Sequence, residues 1–273
     1  MPELPEVETT MQGLKPCLEQ NFVENVIIRQ PQLRWPIPAD LPKYLSKKRI
    51  LKLSRRGKYI LMHTDSGTLI LHLGMSGSLR IVTHQQPIKL HDHVDIIFSN
   101  QLILRFNDPR RFGACLWTSD DPNQHKLLAS LGVEPLLEKF TPEYLQKKAA
   151  NRHVPIKSFI MNSHIVVGVG NIYAAEALFL AGIHPQTPAK LLTLENCQKL
   201  VLAIQSILQT AIQHGGTTIR DFINSSGKPG YFAQKLAVYG RAGKPCILCQ
   251  TPLSMQKISQ RSTVFCADCQ QHP

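Results

Sequence analysis

The residues with the plainest chemical meaning are four cysteines late in the chain: Cys246-x2-Cys249, a sixteen-residue spacer, then Cys266-x2-Cys269. Two close pairs of thiolates can clamp a tetrahedral zinc ion from two sides, and the residues between, Thr251 to Phe265, can form a hairpin. All four positions are filled by thiolates, so none remains for an activated water; one Zn2+ per chain is expected to fold a module rather than do chemistry. A second group stands at the other end, in Pro2-Glu3-Leu4-Pro5-Glu6-Val7-Glu8. Once Met1 is removed, Pro2 is a secondary amine, and an α-amino group titrates near ~7.7–8.0, so part of it is neutral at physiological pH. A lysine, near ~10.4, needs strong desolvation to match that. Glu3 beside it can act as an acid, with Glu6 a turn further on. Taken alone, Pro2 equally serves only to permit removal of Met1, and Glu3, Glu6 and Glu8 equally suit the positive end of a helix.

Elements able to position these groups can be read from periodicity. Val7, Met11, Leu14 and Leu18 fall on one face at helical spacing. From about residue 21 to 120 the pattern is β: short apolar or alternating runs at Val23–Arg29, Ile50–Ser54, Tyr59–His63, Thr68–His72, Leu79–Val82, Val94–Phe98 and Leu102–Phe106, separated by turn-like clusters. That regular spacing predicts a sandwich or barrel. Helical patterns follow over Pro142–Ala150, Val154–Asn162, Asn171–Ala181 and Thr193–Gln213, the last stopped by Gly215-Gly216. Residues 216–238 are polar and glycine-bearing and read as a loop, and a hinge is expected between Gly132 and Phe140. The expected class is multi-domain α+β. Residues 1–134 are expected to form an N-terminal β-sandwich domain with flanking helices, 135–235 a helical domain, and 236–273 a zinc-ribbon hairpin.

Net charge is +12 and the isoelectric point about 9.5. Such a surface attracts polyanions, nucleic acid foremost. No stretch approaches the roughly 18 uninterrupted apolar residues of a membrane helix. The acidic, proline-broken start is unlike a secretory signal, so a cytoplasmic protein is expected. A reducing compartment argues against disulfides in the cysteine cluster, and Cys17, Cys115 and Cys197, in apolar surroundings, read as reduced core residues.

Four segments together carry a specific resemblance: Pro2–Glu8, His72-Leu73-Gly74-Met75-Ser76-Gly77, Asp108-Pro109-Arg110-Arg111-Phe112-Gly113 and Gly168-Val169-Gly170-Asn171-Ile172-Tyr173. With the cysteine pattern closing the chain, the sequence resembles the bacterial formamidopyrimidine-DNA glycosylase family over essentially its whole length. The resemblance implies a bifunctional bacterial enzyme; binding one lesion requires only a monomer, which is expected, in the cytoplasm at the nucleoid. It excises a damaged purine, such as 8-oxoguanine or a formamidopyrimidine, from double-stranded DNA and cuts the strand by β- and δ-elimination. It also implies a helix–two-turn–helix segment around Asn171. The base must leave the stack to react. Pro2 then attacks the sugar C1′ and forms an iminium, the electron sink that elimination requires, while Glu3 protonates the opening sugar oxygen. Glu6 hydrogen-bonds the lesion or tunes Glu3.

By the same resemblance Lys58 is a proton donor in β-elimination and Arg261 grips phosphates in δ-elimination. Met75, Arg110 and Phe112 fill the void left by the flipped nucleotide, Arg110 reading the orphaned cytosine. His72, His91, Lys157 and Asn171 are further DNA contacts. His153 is carried over with them, although Asn151-Arg152-His153 stands where the family is often richer in lysine. The loop Thr217–Phe232 resembles the part that folds over an oxidised purine, and Lys235 beyond it receives no role. Rival readings are an endonuclease VIII-type enzyme for oxidised pyrimidines, in which glycine is common where this chain has Leu4, and a non-catalytic zinc DNA-binding protein. A zinc-ribbon translation factor finds no support in the first 130 residues.

Overall fold

A computed structural model describes residues 2–216 and 236–272. They divide into two compact units, one holding residues 2–130 and 214–216, the other 131–213 and 236–272. The first unit opens with α1 (Leu4–Leu18), followed by β1 (Val23–Ile28) and the short α2 (Leu41–Leu45). Seven strands come next: β2 (Lys52–Arg56), β3 (Tyr59–His63), β4 (Thr68–His72), β5 (Ser78–Val82), β6 (Asp92–Phe98), β7 (Ile103–Asn107) and β8 (Ala114–Thr118). They form two antiparallel four-stranded sheets, ordered β1-β6-β7-β5 and β2-β3-β4-β8.

Both sheets feed one core. Val23 and Val26 of β1, Val94, Ile96 and Phe98 of β6 and Leu104 and Phe106 of β7 share it with Ile60, Met62, Leu69 and Leu71 of the other sheet. Met11, Leu14 and Leu18 of α1 complete it. Each such side chain contributes about 1.5–3 kcal/mol by leaving water. The helical spacing at Val7, Met11, Leu14 and Leu18 therefore has a simple cause, since it is the stripe that α1 lays on the sandwich. On the first sheet a buried ion network substitutes for apolar packing. Arg105 makes a two-point contact with Asp95 at 2.9 Å each, and Arg29 adds a third bond at 2.6 Å. Burial alone would raise the Asp95 carboxyl; the hydrogen bonds from Arg105 and Arg29 hold it below the ordinary range. β8 and α2 are absent from the sequence reading. β8 is a five-residue, mostly apolar run without the polar–apolar alternation that marks a half-buried strand, and α2 spans only five residues.

The second unit contains α3 (Pro142–Ala149), α4 (Ile156–Ile160), α5 (Asn171–Leu180), α6 (Leu194–Gln213), β9 (Ser254–Ile258) and β10 (Arg261–Phe265). α4, the turns over 161–170 and α5 make the helix–two-turn–helix. Eight of the ten α5 residues are buried, which makes α5 the central rod rather than an amphipathic surface helix. α6 is amphipathic, burying Cys197, Leu200, Val201, Ile204 and Leu208. The zinc-ribbon hairpin β9–β10 turns at Ser259-Gln260, both with positive φ (46° and 62°), as a tight two-residue hairpin requires. No helix among the described residues is long and apolar enough to cross a membrane. The expected loop Thr217–Phe232 and Lys235 lie outside the described residues.

One buried carboxylate joins α5 to the chain that leads into the cysteine ribbon. Glu176, 2% exposed, accepts the backbone N–H groups of Ala237, Val238 and Tyr239 at 2.8, 2.9 and 2.7 Å. Burial pushes its carboxyl up, against the pull of those three amides and of Arg241. Glu176→Ala strands three donors and should destabilise this unit by on the order of 3 kcal/mol, measured by denaturant melts. Glu176→Gln keeps an acceptor oxygen and should cost clearly less; equal losses would mean that the side chain only fills space.

Candidate active site

At the start of α1, Pro2 is buried, and Glu3 and Glu6 are 2% and 0% exposed. The Glu6 carboxylate reaches back to accept the Glu3 N–H at 2.9 Å, the returning half of a capping box. Pro5, in the first turn, gives up an amide that would have no helical partner anyway. The helix-start role open to Glu6 is thus realised, and it keeps two carboxyl groups beside Pro2 out of water. Gly216 closes on them: its φ is +81°, and a Cβ there would stand 3.0 Å from Glu6 Oε1. Glu8 is engaged elsewhere, paired with Arg55 Nε at 2.7 Å.

Lys58 sits in the two-residue β2–β3 turn after Gly57, whose φ of 57° is the conformation glycine adopts without strain. His72 ends β4 opposite Tyr59, their ring centroids 4.6 Å apart. Burial, then the charges of Lys58 and Arg34, lower the His72 pKa to about 4. The ring is therefore neutral at physiological pH. Its Nδ1 accepts the Gly74 N–H at 3.0 Å, which leaves the proton on Nε2. Sequence reasoning placed His72 as a contact but missed that its neighbours keep it uncharged.

Beyond His72, Met75 (39% exposed) and Phe112 (41% exposed) project from two loops, with the Arg110 guanidinium 4.8 Å from the Phe112 ring centroid. They line a cleft of about 690 Å³ together with Gln32, Arg34 and His72. The two loops meet because Gly74 has no side chain. A Cβ at Gly74 would stand 2.5 Å from the Phe112 carbonyl carbon. Asp108, fully buried, ties them. Its carboxylate accepts the Ser76 hydroxyl at 3.1 Å and the Gly113 N–H at 2.7 Å. Its N–H donates to the His91 carbonyl at 3.1 Å and its own carbonyl accepts from Arg111 N–H at 3.2 Å, so His91, at φ 70°, belongs to the same knot. Asp108 was quoted in the motif without a role. The available signal was Asp108-Pro109, a turn-initiating pair and the sole acid in a basic loop.

In the second unit, Asn171 stands at the first position of α5, after Gly170. Its side-chain oxygen accepts from Lys157 Nζ at 2.7 Å and its amide donates to the Ser262 carbonyl at 3.2 Å. Lys157 is 1% exposed and also donates to Thr263 Oγ1 at 2.7 Å. Expected as a DNA contact, it braces α5 and β10 from inside. Arg261, exposed at the tip of the β9–β10 hairpin, is next in chain to Ser262. Ser158 of α4 bonds the hairpin turn at Ser259 with 2.7 Å between hydroxyl oxygens. His153 is exposed ahead of α4.

The four cysteine sulfurs lie within 4.8 Å of one another, with Cys249–Cys266 at 3.4 Å and Cys246–Cys269 at 3.9 Å. Four sulfurs about 2.3 Å from a tetrahedral zinc stand at such separations. The N–H groups of Leu248 and Cys269 point at the sulfurs of Cys246 and Cys266, both at 3.4 Å, as donors that favour the thiolate. The set fits one structural zinc ion.

Comparison with known proteins agrees with this arrangement along the whole chain. Residues 1–115 match the formamidopyrimidine-DNA glycosylase N-terminal domain, 131–223 the formamidopyrimidine-DNA glycosylase H2TH domain, and 243–271 the zinc finger found in FPG and IleRS. A formamidopyrimidine-DNA glycosylase of Marinobacter nauticus is 54% identical over 270 residues, covering 99% of this chain and 100% of the relative. Its counterpart in Legionella pneumophila is likewise 54% identical over 270 residues, covering 99% of this chain and 98% of that protein. Among solved structures, the MutM (Fpg) protein of Thermus thermophilus superposes with a TM-score of 0.89 at 34% identity, both chains covered completely. Lactococcus lactis Fpg in complex with N7-benzyl-Fapy-dG DNA gives 0.92 at 34% identity, over 99% of this chain and 100% of that one.

Stripping zinc with a chelator should unfold the ribbon and lower the melting transition of the second unit, since metal binding and folding are one equilibrium here; an unchanged transition after verified removal would contradict a structural site. A second expectation concerns pH. A folded-state pKa near 4 for His72 lies below the ordinary 6.5, so the unfolded chain binds the proton first. The contribution of His72 to stability is complete above 6.5 and is lost as pH falls through that window towards 4. His72→Asn, which keeps an acceptor for the Gly74 amide, should flatten that slope, and a wild-type His72 titrating near 6.5 by NMR would refute it.

Proposed function

The chain belongs to the formamidopyrimidine-DNA glycosylase family, and on that premise we propose that Pro2, freed by removal of Met1, is the nucleophile with which it excises oxidised purines from duplex DNA. One observation carries this reading. Pro2 and Glu3 are buried together at the N-terminal end of a helix, in a chain matched along its length by family members. Both circumstances favour the neutral amine: burial disfavours a charged nitrogen, and so does the positive end of α1.

The reaction runs in balanced steps. The Pro2 nitrogen attacks C1′ of the flipped nucleotide, and the bond to the damaged base breaks with the base taking the electron pair and a proton. Glu3 protonates the ring oxygen as the sugar opens, and Pro2 loses its own proton, leaving a C1′ iminium. A base takes the C2′ proton and the C–H electrons turn the iminium into an enamine, which expels the 3′ phosphate with the C3′–O electron pair and restores a conjugated iminium (β-elimination). Loss of the 5′ phosphate follows (δ-elimination), and water releases Pro2. Lys58 acts as proton donor in the first elimination and Arg261 holds the flanking phosphate in the second. Glu6 fixes Glu3 and faces the lesion. Met75, Arg110 and Phe112 occupy the vacated stack, a flexible thioether and a guanidinium–ring pair being suited to replace a base. His72, His91, His153 and Asn171 contact the backbone, while Lys157 acts through Asn171. The substrate class is that of the Lactococcus lactis relative, which was solved on Fapy-dG DNA.

The working division is a catalytic domain over 1–134, a helical DNA-binding domain over 135–235 and a zinc finger over 236–273. The protein acts as a monomer in the bacterial cytoplasm, at the nucleoid. Borohydride should trap a covalent adduct with lesion-bearing duplex. One extra residue ahead of Pro2 should abolish trapping and leave DNA binding nearly intact; persistent trapping would remove Pro2 as nucleophile. Duplex with 8-oxoguanine opposite cytosine should be cut faster than duplex with thymine glycol, and the reverse order would move the substrate to oxidised pyrimidines.

A further inference from the structure

Part of the cleft lined by the Met75 and Phe112 loops comes from a segment with no assigned part in the reaction, the connection between β1 and α2. It is built to be rigid. Leu33 and Ile37 are each 4% exposed, four residues apart, and both enter the sandwich core. The Ile37 N–H donates to the Pro31 carbonyl at 2.8 Å, and Gln32 and Pro36 pair as an isolated bridge. With Leu33 and Ile37 turned inward, Gln32 and Arg34 face the cleft. The Arg34 N–H donates to the Gly113 carbonyl at 3.3 Å, so this segment is fastened to the loop that carries Arg110 and Phe112. The Arg34 guanidinium rests over the Trp35 ring, 4.8 Å from its centroid, and no carboxylate pairs with it among the described residues.

An exposed arginine packed over an indole has lost part of its rotamer freedom and kept its side-chain donors. Its surroundings are cationic: its charge and that of Lys58 both act on His72. A cation placed by a rigid segment at the rim of a cleft, among other cations and without a counter-ion, is arranged for an anion that arrives from outside.

We propose that Arg34 is an additional DNA-binding residue, gripping a backbone phosphodiester at the mouth of the cleft and so positioning the duplex against the Met75, Arg110 and Phe112 loops. The proposal rests on the DNA substrate assigned above. Because Arg34 is tied to Gly113 through its backbone, a phosphate held by its side chain is held in fixed register with those loops. Neutral His72, whose Nε2–H is a donor, adds a hydrogen bond without adding to the repulsion between Arg34 and Lys58.

The test uses the full zinc-loaded protein and a short duplex carrying a tetrahydrofuran abasic analogue opposite cytosine. Affinity is measured over a series of salt concentrations for wild type, Arg34→Gln and Arg34→Lys. Arg34→Gln should weaken binding about tenfold, and its log–log salt dependence should be shallower by about one unit, as expected for the loss of one phosphate contact. Arg34→Lys should recover the slope but not the whole affinity, since a point charge does not reproduce a stacked fork. In Arg34→Gln the NMR titration of His72 should move up from about 4, because one of the charges that lower it is gone. Melting of Arg34→Gln should equal wild type, the side chain being exposed. An Arg34→Gln protein that binds with wild-type affinity and slope overturns the proposal. Failure of the wild type to bind the abasic duplex would instead overturn the DNA reading on which it rests.

Discussion

A single buried carboxylate fixes the geometry on which the candidate site depends. Asp108 has every polar group engaged: its side chain with Ser76 and Gly113, its backbone with His91 and Arg111, and its carbonyl also with His93 Nε2 at 2.8 Å. Without its carboxylate the buried Gly113 amide and Ser76 hydroxyl would lose their acceptor. Burying a carboxylate is costly, and the cost is tolerable only where hydrogen bonds replace the lost water. Here those bonds come from Ser76 and Gly113, on the segments that carry Met75, Arg110 and Phe112, while the Asp108 backbone ties in His91. Their mutual placement is decided in the interior, leaving their tips free for a ligand.

The second unit uses the same device with the sign reversed. The Lys157 ammonium, almost wholly excluded from water, is satisfied by Asn171, Thr263 and the Ser262 carbonyl. It holds the start of α5 and the first residues of β10 at one distance. Glu176, further along α5, does the equivalent for residues 237–239. Zinc shapes the ribbon itself, but these two side chains join the ribbon to the helix that bears Asn171.

What could be read in advance follows from how local each cause is. The α1 stripe, the β3 and β4 strands and α6 rest on periodicity within one segment, and they stand where the residues put them. The β2–β3 turn was visible in Gly57, and the cysteine cluster in its spacing. Asp108, Glu176 and Lys157 were not legible as struts, because a charged side chain is read as exposed until its distant partners are known, and those partners are 61 to 106 residues away for Glu176 and the Lys157–Thr263 bond. The neutral state of His72 was hidden likewise, since Lys58 and Arg34 approach it only through the fold. β8 escaped because its five residues show no polar–apolar alternation.

The packing around Pro2 has a consequence for the order of events in the life of the chain. Pro2, Glu3 and Glu6 are shielded from bulk water once α1 is seated, and Gly216 closes on Glu6 from a part of the sequence made long afterwards. On the proposed role of Pro2, trimming of Met1 is best timed while the beginning of the growing polypeptide is still loose. Trimming and docking are competing clocks. On that proposal, a variant that seated α1 too quickly would lock away an uncut start and yield a well-folded population without the proposed amine.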